Sequence, residues 1–97
     1  MIFDWDEAKR LANIRKHGFD LADAAEMFSG TMLVYPDTRE DYGETRWLGL
    51  GWIGGRLAQV VFVEQEPDVI RVISLRKATS LEHKEFEKAI QDGLEAH

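Results

Sequence analysis

Between residues 46 and 75 the chain runs through three apolar-rich stretches, and only Gly54 and Gly55 separate the first from the second. A Gly–Gly pair takes the positive φ angles of a tight hairpin at no steric cost. The second stretch passes into the third through Glu66, Pro67 and Asp68. Both connections are far too short for the crossover that parallel neighbours require. The three stretches are therefore expected as an antiparallel meander. In the first, Arg46, Leu48, Leu50 and Trp52 share one face, and Trp47, Gly49, Gly51 and Ile53 share the other. Pairing about the glycines sets Ile53 opposite Arg56 and Arg46 opposite about Val63. On that register Arg46, rather than Arg56, is expected to share a face region with the C-terminal side of the last strand.

Upstream of Ser29 and Gly30 the apolar period is helical. Residues 2–5 read as a short strand, and Asp4 with Glu7 has the spacing of a capping box for a first helix. Ala8, Leu11 and Ala12 fall on one face of that helix, and Gly18 is its expected C-cap. Asp20 is a second N-cap, preceding a short helix faced by Leu21, Ala24, Ala25 and Phe28, with Phe19 placed to staple onto Ala24. Residues 31–35 read as a strand ended by Pro36, and 36–44 as a polar loop. Thr79 and Glu82 form another capping box, opening a helix to about Leu94 with Phe86, Ala89, Ile90 and Gly93 on one side. The whole is expected to be one α+β domain over residues 1–97: two N-terminal helices, an antiparallel sheet of about four strands and a C-terminal helix.

Composition narrows the function classes. A chain of 97 residues supports one thin core and no sizeable cofactor cavity. It has no cysteine, which excludes a disulfide scaffold and a cysteine-based zinc site. The apolar stretch 57–63 is too short to cross a bilayer, and the opening MIFDWDE is acidic where a signal peptide is basic, so a cytoplasmic location is expected. The net charge is −6, the wrong sign for a protein that relies on nonspecific phosphate attraction. Residues 44–84 nevertheless hold six bases against five acids, which places any anion site in the middle or late part of the chain.

Arg71, Arg76 and Lys77 form the basic cluster there. A guanidinium just before a helix N-terminus can join free amides in holding a phosphate; equally, these residues can be solvated charges or ion-pair partners of Glu64 or Glu82. His17, His83 and His97 lack metal-ligand spacing. His17 suits either a helix terminus or proton transfer, and His83 is similarly open. Trp47 and Trp52 point to opposite sheet faces, so at least one is exposed or covered by a helix or partner. The glycines do not make a phosphate loop, and no serine elbow or catalytic carboxylate pair is present.

Four segments together resemble the BrnT-type toxins of bacterial type II toxin–antitoxin pairs: Trp5, Asp6, Glu7 and Lys9; Asn13, Lys16, His17 and Gly18; Gly43, Glu44 and Arg46; and Ile73, Ser74, Arg76, Lys77 and Ala78. The resemblance covers about residues 2–90. It implies a RelE-like fold, metal-independent RNA cleavage that stops translation and growth, and neutralisation by a cognate antitoxin carrying a DNA-binding part of ribbon-helix-helix type. No cofactor is implied, and DNA is contacted only through the antitoxin. On this basis Arg76 and Arg46 are the expected phosphate clamp with Lys77 in support, and His17 and then Glu82 the expected proton-transfer groups. Family members often carry an arginine-rich start and a tyrosine in the last helix; here that helix reads HKEF, with Phe86, which cannot donate a hydrogen bond. The alternative is a relative with weak or lost catalysis that acts as a binding and regulatory partner. An unrelated nucleic-acid-binding or scaffold domain is the third reading.

Overall fold

The computed structural model describes residues 1–93; the expected helix end at Leu94 and His97 lie outside them. The meander forms as its turns dictate. β3 (Trp47–Ile53) pairs antiparallel with β4 (Arg56–Glu66), with Ile53 facing Arg56 across two glycines at φ 52° and 80°. β4 pairs antiparallel with β5 (Val69–Lys77). Their ladder slips where Val61 meets Ser74 and Phe62 meets Val72, leaving Ile73 extra on β5. That bulge lets Val72 and Leu75, three residues apart, reach the same core.

Two short strands complete the sheet. β2 (Leu33–Pro36) pairs antiparallel with β3, and β1 (Ile2–Asp4) pairs parallel with β5, giving the order β1-β5-β4-β3-β2. The sheet thus has five strands, one of them a parallel edge supplied by the N-terminus.

Helices cover both faces. α1 (Glu7–His17) and α2 (Ala24–Phe28), joined through a 3-10 turn at Leu21–Asp23, lie on one face; α3 (Ser80–Gln91) lies on the other. Gly18 ends α1 at φ 74°, a left-handed position that costs a glycine nothing. Asp20 caps the 3-10 turn by accepting from the Ala22 amide. Thr79 and Glu82 make the expected capping box.

The start and the buried face of α1 differ from expectation. Its N-cap is Asp6, whose side chain accepts from the Lys9 amide, while Asp4 accepts from the neighbouring Trp5 amide instead. Ala8, Leu11 and Ala12 stay exposed, and the one buried residue of α1 is Asn13. The apolar spacing pointed to the wrong side because this helix meets the sheet at a strand edge that needs hydrogen bonds.

The larger core joins Phe19, Leu21, Ala24 and Met27 to Val60, Phe62, Val72 and Leu75. Gly49 allows the segment after α2 to approach β3: a Cβ there would meet the end of Met32 and lie 3.0 Å from Val60. The smaller core, under α3, holds Leu50, Leu57, Ala78 and Phe86.

Candidate active site

β1 covers β5 only from Val69 to Arg71, so the rest of that edge needs other partners. Asn13 supplies them. Its Nδ2 donates to the carbonyl of Leu75 at 2.8 Å and to that of Phe19 at 2.9 Å, and its Oδ1 accepts from the Leu75 amide at 3.1 Å. One side chain thereby pairs a strand residue on both its polar groups and fixes α1 against β5.

Beside Asn13 runs a groove of about 200 Å³ lined by Lys9, Lys16, His17, Ile73 and Ser74. It brings two of the sequence motifs together, one from α1 and one from β5. Burial first, then the charges of Lys16 and Arg76, hold the His17 imidazole below its usual 6.5. The α1 dipole alone would favour the imidazolium; these neighbours win. His17 is neutral near pH 7 and able to accept a proton.

Arg76 lies at the same end of β5. Its NH1 and NH2 donate to the two carboxylate oxygens of Glu82, each at 2.9 Å, and NH1 also donates to the Lys77 carbonyl at 3.0 Å. Two of its five N–H groups remain for another acceptor. Glu82 is nearly buried and fully engaged: besides Arg76 it accepts from the Thr79 amide at 2.8 Å and from Gln59 Nε2 at 2.7 Å. Burial pushes its carboxyl up, but the bonds from Arg76 and Thr79 more than offset this and hold it below the usual value. It is an ionised, saturated acceptor, with no proton to give and no open lone pair. The capping box also occupies the Thr79 and Glu82 amides that an anion would otherwise use. Lys77 is exposed and makes no ion pair among the described residues. Arg71 is taken by Asp4 at 2.6 Å.

Arg46 stands apart. Trp47 pairs with Phe62 and Val63 with Arg71, which sets Arg46 at the level of Arg71; Arg76 is level with Gln59 and Leu50. Four residues of strand separate those levels, roughly 13 Å. The expected approach of Arg46 to the C-terminal side of β5 is therefore corrected: antiparallel pairing sends it to the opposite end. Its guanidinium lies 4.1 Å over the Tyr42 ring, and its Nε is buried without a hydrogen-bond partner. Tyr42 in turn donates to Asp37, a buried carboxylate that also accepts from Arg39 and is lowered to about 2, mainly by that arginine's hydrogen bond.

Trp47 packs on the larger core, whereas Trp52 is 45% exposed and meets the Phe86 and His83 rings edge-on at 5.9 and 6.3 Å. Gln59, which helps hold Glu82, escaped sequence reasoning. A single polar residue at an inward position of the run LAQVVFV was its signal. Asp37 escaped too, since its burial depends on how the loop folds over it.

A family model described as the ribonuclease toxin BrnT of type II toxin–antitoxin systems matches residues 5–82. The 1.1 Å crystal structure of the Brucella abortus ribonuclease toxin BrnT is similar to this chain at 32% identity and a TM-score of 0.67. The match covers 82% of this chain and 100% of that one. No curated protein matches the chain. No helix among the described residues is long and apolar enough to cross a membrane.

Proposed function

The chain belongs to the BrnT family of type II toxin–antitoxin ribonuclease toxins, and on that premise we propose that it cleaves RNA at the groove between α1 and β5 without a metal ion. The observation that carries this reading is the place of His17 in a groove walled by two lysines, where burial and the charges of Lys16 and Arg76 hold its imidazole below the usual 6.5. His17 takes the proton from a ribose 2′-hydroxyl. The 2′-oxygen then bonds to phosphorus as the bond to the 5′-oxygen breaks, leaving a cyclic phosphate and a 5′-hydroxyl. Water in the open groove supplies the proton to the leaving oxygen. Arg76, with its two remaining N–H groups, and Lys77 stabilise the charge that builds on the phosphoryl oxygens. Glu82 acts through Arg76 as a positioning residue, and Arg46, stacked on Tyr42 at the other end of the sheet, takes no part in the clamp. Phe86 is a buried member of the α3 core, so its lack of a hydroxyl removes nothing from the groove.

Membership of a type II family brings a cognate antitoxin as partner. Its DNA-binding part is of ribbon-helix-helix type, and the complex is even-numbered if that part dimerises on a two-fold operator.

Cleavage of an unstructured RNA in EDTA tests the reaction. His17→Gln lowers the rate by at least ~10²-fold, the scale of a lost general base. The parent's rate falls as pH drops below the imidazole range, and the variant loses that limb. A folded His17→Gln protein with the parent's rate and pH profile contradicts the reading.

A further inference from the structure

Neighbouring residues of a regular strand point to opposite faces of the sheet, yet Ile73 and Ser74 both line the groove between α1 and β5. The bulge that leaves Ile73 unopposed on β4 turns them to the same side. Ile73 is half-buried and belongs to neither core. The Ser74 hydroxyl makes no hydrogen bond among the described residues. With Ala12 they give the groove an apolar floor that carries one free, neutral polar group. Lys9 and Lys16 stand along the α1 wall, on one stripe of the helix and roughly 10 Å apart along its axis. His17 lies at the Lys16 end. Neither lysine makes an ion pair among the described residues, and no carboxylate lines the groove.

We propose that the groove is a subsite for one unpaired nucleotide, the one whose 2′-hydroxyl attacks. Its base lies on Ile73 and Ala12 and turns an edge to the Ser74 hydroxyl. Its 3′-phosphate, the scissile one, lies at the end held by Lys16 and His17, and its 5′-phosphate pairs with Lys9. The inference rests on the ribonuclease reading above. Size selects the occupant: a groove of about 200 Å³ takes one flat base but not a base pair, so the strand must be single at this point. Charge selects it too. Two free cations spaced along an apolar floor match a nucleotide, which has a phosphate on either side of its base. The slot beside Trp52, walled by Phe86 and Ile90, is apolar as well but has no cation among its lining residues.

The test uses a 5′-phosphorylated dinucleotide whose first residue is 2′-deoxy and so cannot be cleaved. Its Kd is measured by NMR titration of the protein at low salt, folding being confirmed by circular dichroism. The parent binds it at least ~3-fold more tightly than the same dinucleotide without the 5′-phosphate, the scale of one exposed charge pair. Lys9→Ala binds the two equally, whereas Lys84→Ala, on the exposed side of α3, discriminates as the parent does. An abasic first residue weakens parent binding at least ~10-fold, because the floor loses the surface it covers. Ser74→Ala weakens the intact ligand and leaves the abasic one unchanged, a pattern that a general loss of structure would not give. A parent indifferent to the first base, a 5′-phosphate effect that survives in Lys9→Ala, or a dinucleotide that the parent does not bind would each overturn the proposal. Cleavage of the matching all-ribose dinucleotide and of a long unstructured RNA is the separate readout. A parent that shows the binding pattern but cleaves neither sinks the ribonuclease reading while the nucleotide subsite stands. A parent that cleaves RNA without the pattern sinks the subsite alone.

Discussion

The two faces of the sheet are held by different means. On the α1–α2 face, Phe62, Val60 and Leu75 meet Phe19, Leu21 and Met27 in an apolar core, with the buried Asn13 at its β5 edge. On the α3 face, four buried apolar residues adjoin Gln59, Glu82 and Arg76, which are joined by hydrogen bonds of 2.7–2.9 Å. Apolar burial is tolerant of detail and supplies most of the stability. A buried ion pair adds little net stability but penalises the loss of either partner heavily. The difference teaches that the first face stabilises the fold while the second, with the β5 edge, holds charged groups in fixed places.

The comparison breaks most visibly through the large core. Phe62→Ala is expected to cost about 3–5 kcal/mol in urea unfolding; if Phe86→Ala costs more, the faces have been ranked the wrong way round. Glu82→Ala comes next, at about 3 kcal/mol, because it strands Arg76, Gln59 and the Thr79 amide. Glu82→Gln loses less stability and keeps the pH profile of cleavage unchanged, since Glu82 moves no proton. Asn13→Ala is expected to cost about 2 kcal/mol by leaving the Leu75 amide and carbonyl unpaired, and to slow cleavage through the freed position of His17. The smallest effect is in acid. Asp37 is ionised in the fold down to about 2, against a usual 3.8. Its contribution is therefore full above the unfolded value and lost as pH falls through about 2. Asp37→Asn should lower stability at neutral pH and flatten its decline over that window in acid unfolding curves.

The meander, the Gly18 cap, the Asp20 cap and the Thr79–Glu82 box were legible in the sequence because each is a local rule about turns or helix ends. The buried side of α1 was not. Its single inward residue is polar, and what draws it inward is a strand edge 62 residues away. Register reasoning paired Ile53 with Arg56 correctly, yet it sent Arg46 toward the wrong end of β5, because β4 runs back past it. The sequence also admitted Glu82 as an ion-pair partner of Arg76, and the structure contains that pair. What no spacing revealed is that Gln59 and the capping amide complete the ring around Glu82. A ring of that kind depends on three elements meeting, and only the fold brings them together.

The central claim is that Arg76 grips the scissile phosphate at the end of β5. Since its loss alone would orphan a nearly buried carboxylate, the direct measurement compares Glu82→Gln with the double variant Arg76→Ala, Glu82→Gln, both folded, for RNA cleavage in EDTA. The account predicts a further fall of at least ~10²-fold on removing Arg76, the scale of a lost transition-state charge donor. Arg56→Ala, which removes a guanidinium stacked 4.2 Å over Phe19 on the other face, should leave the rate close to the parent's. A double variant that cleaves as fast as Glu82→Gln would contradict the account.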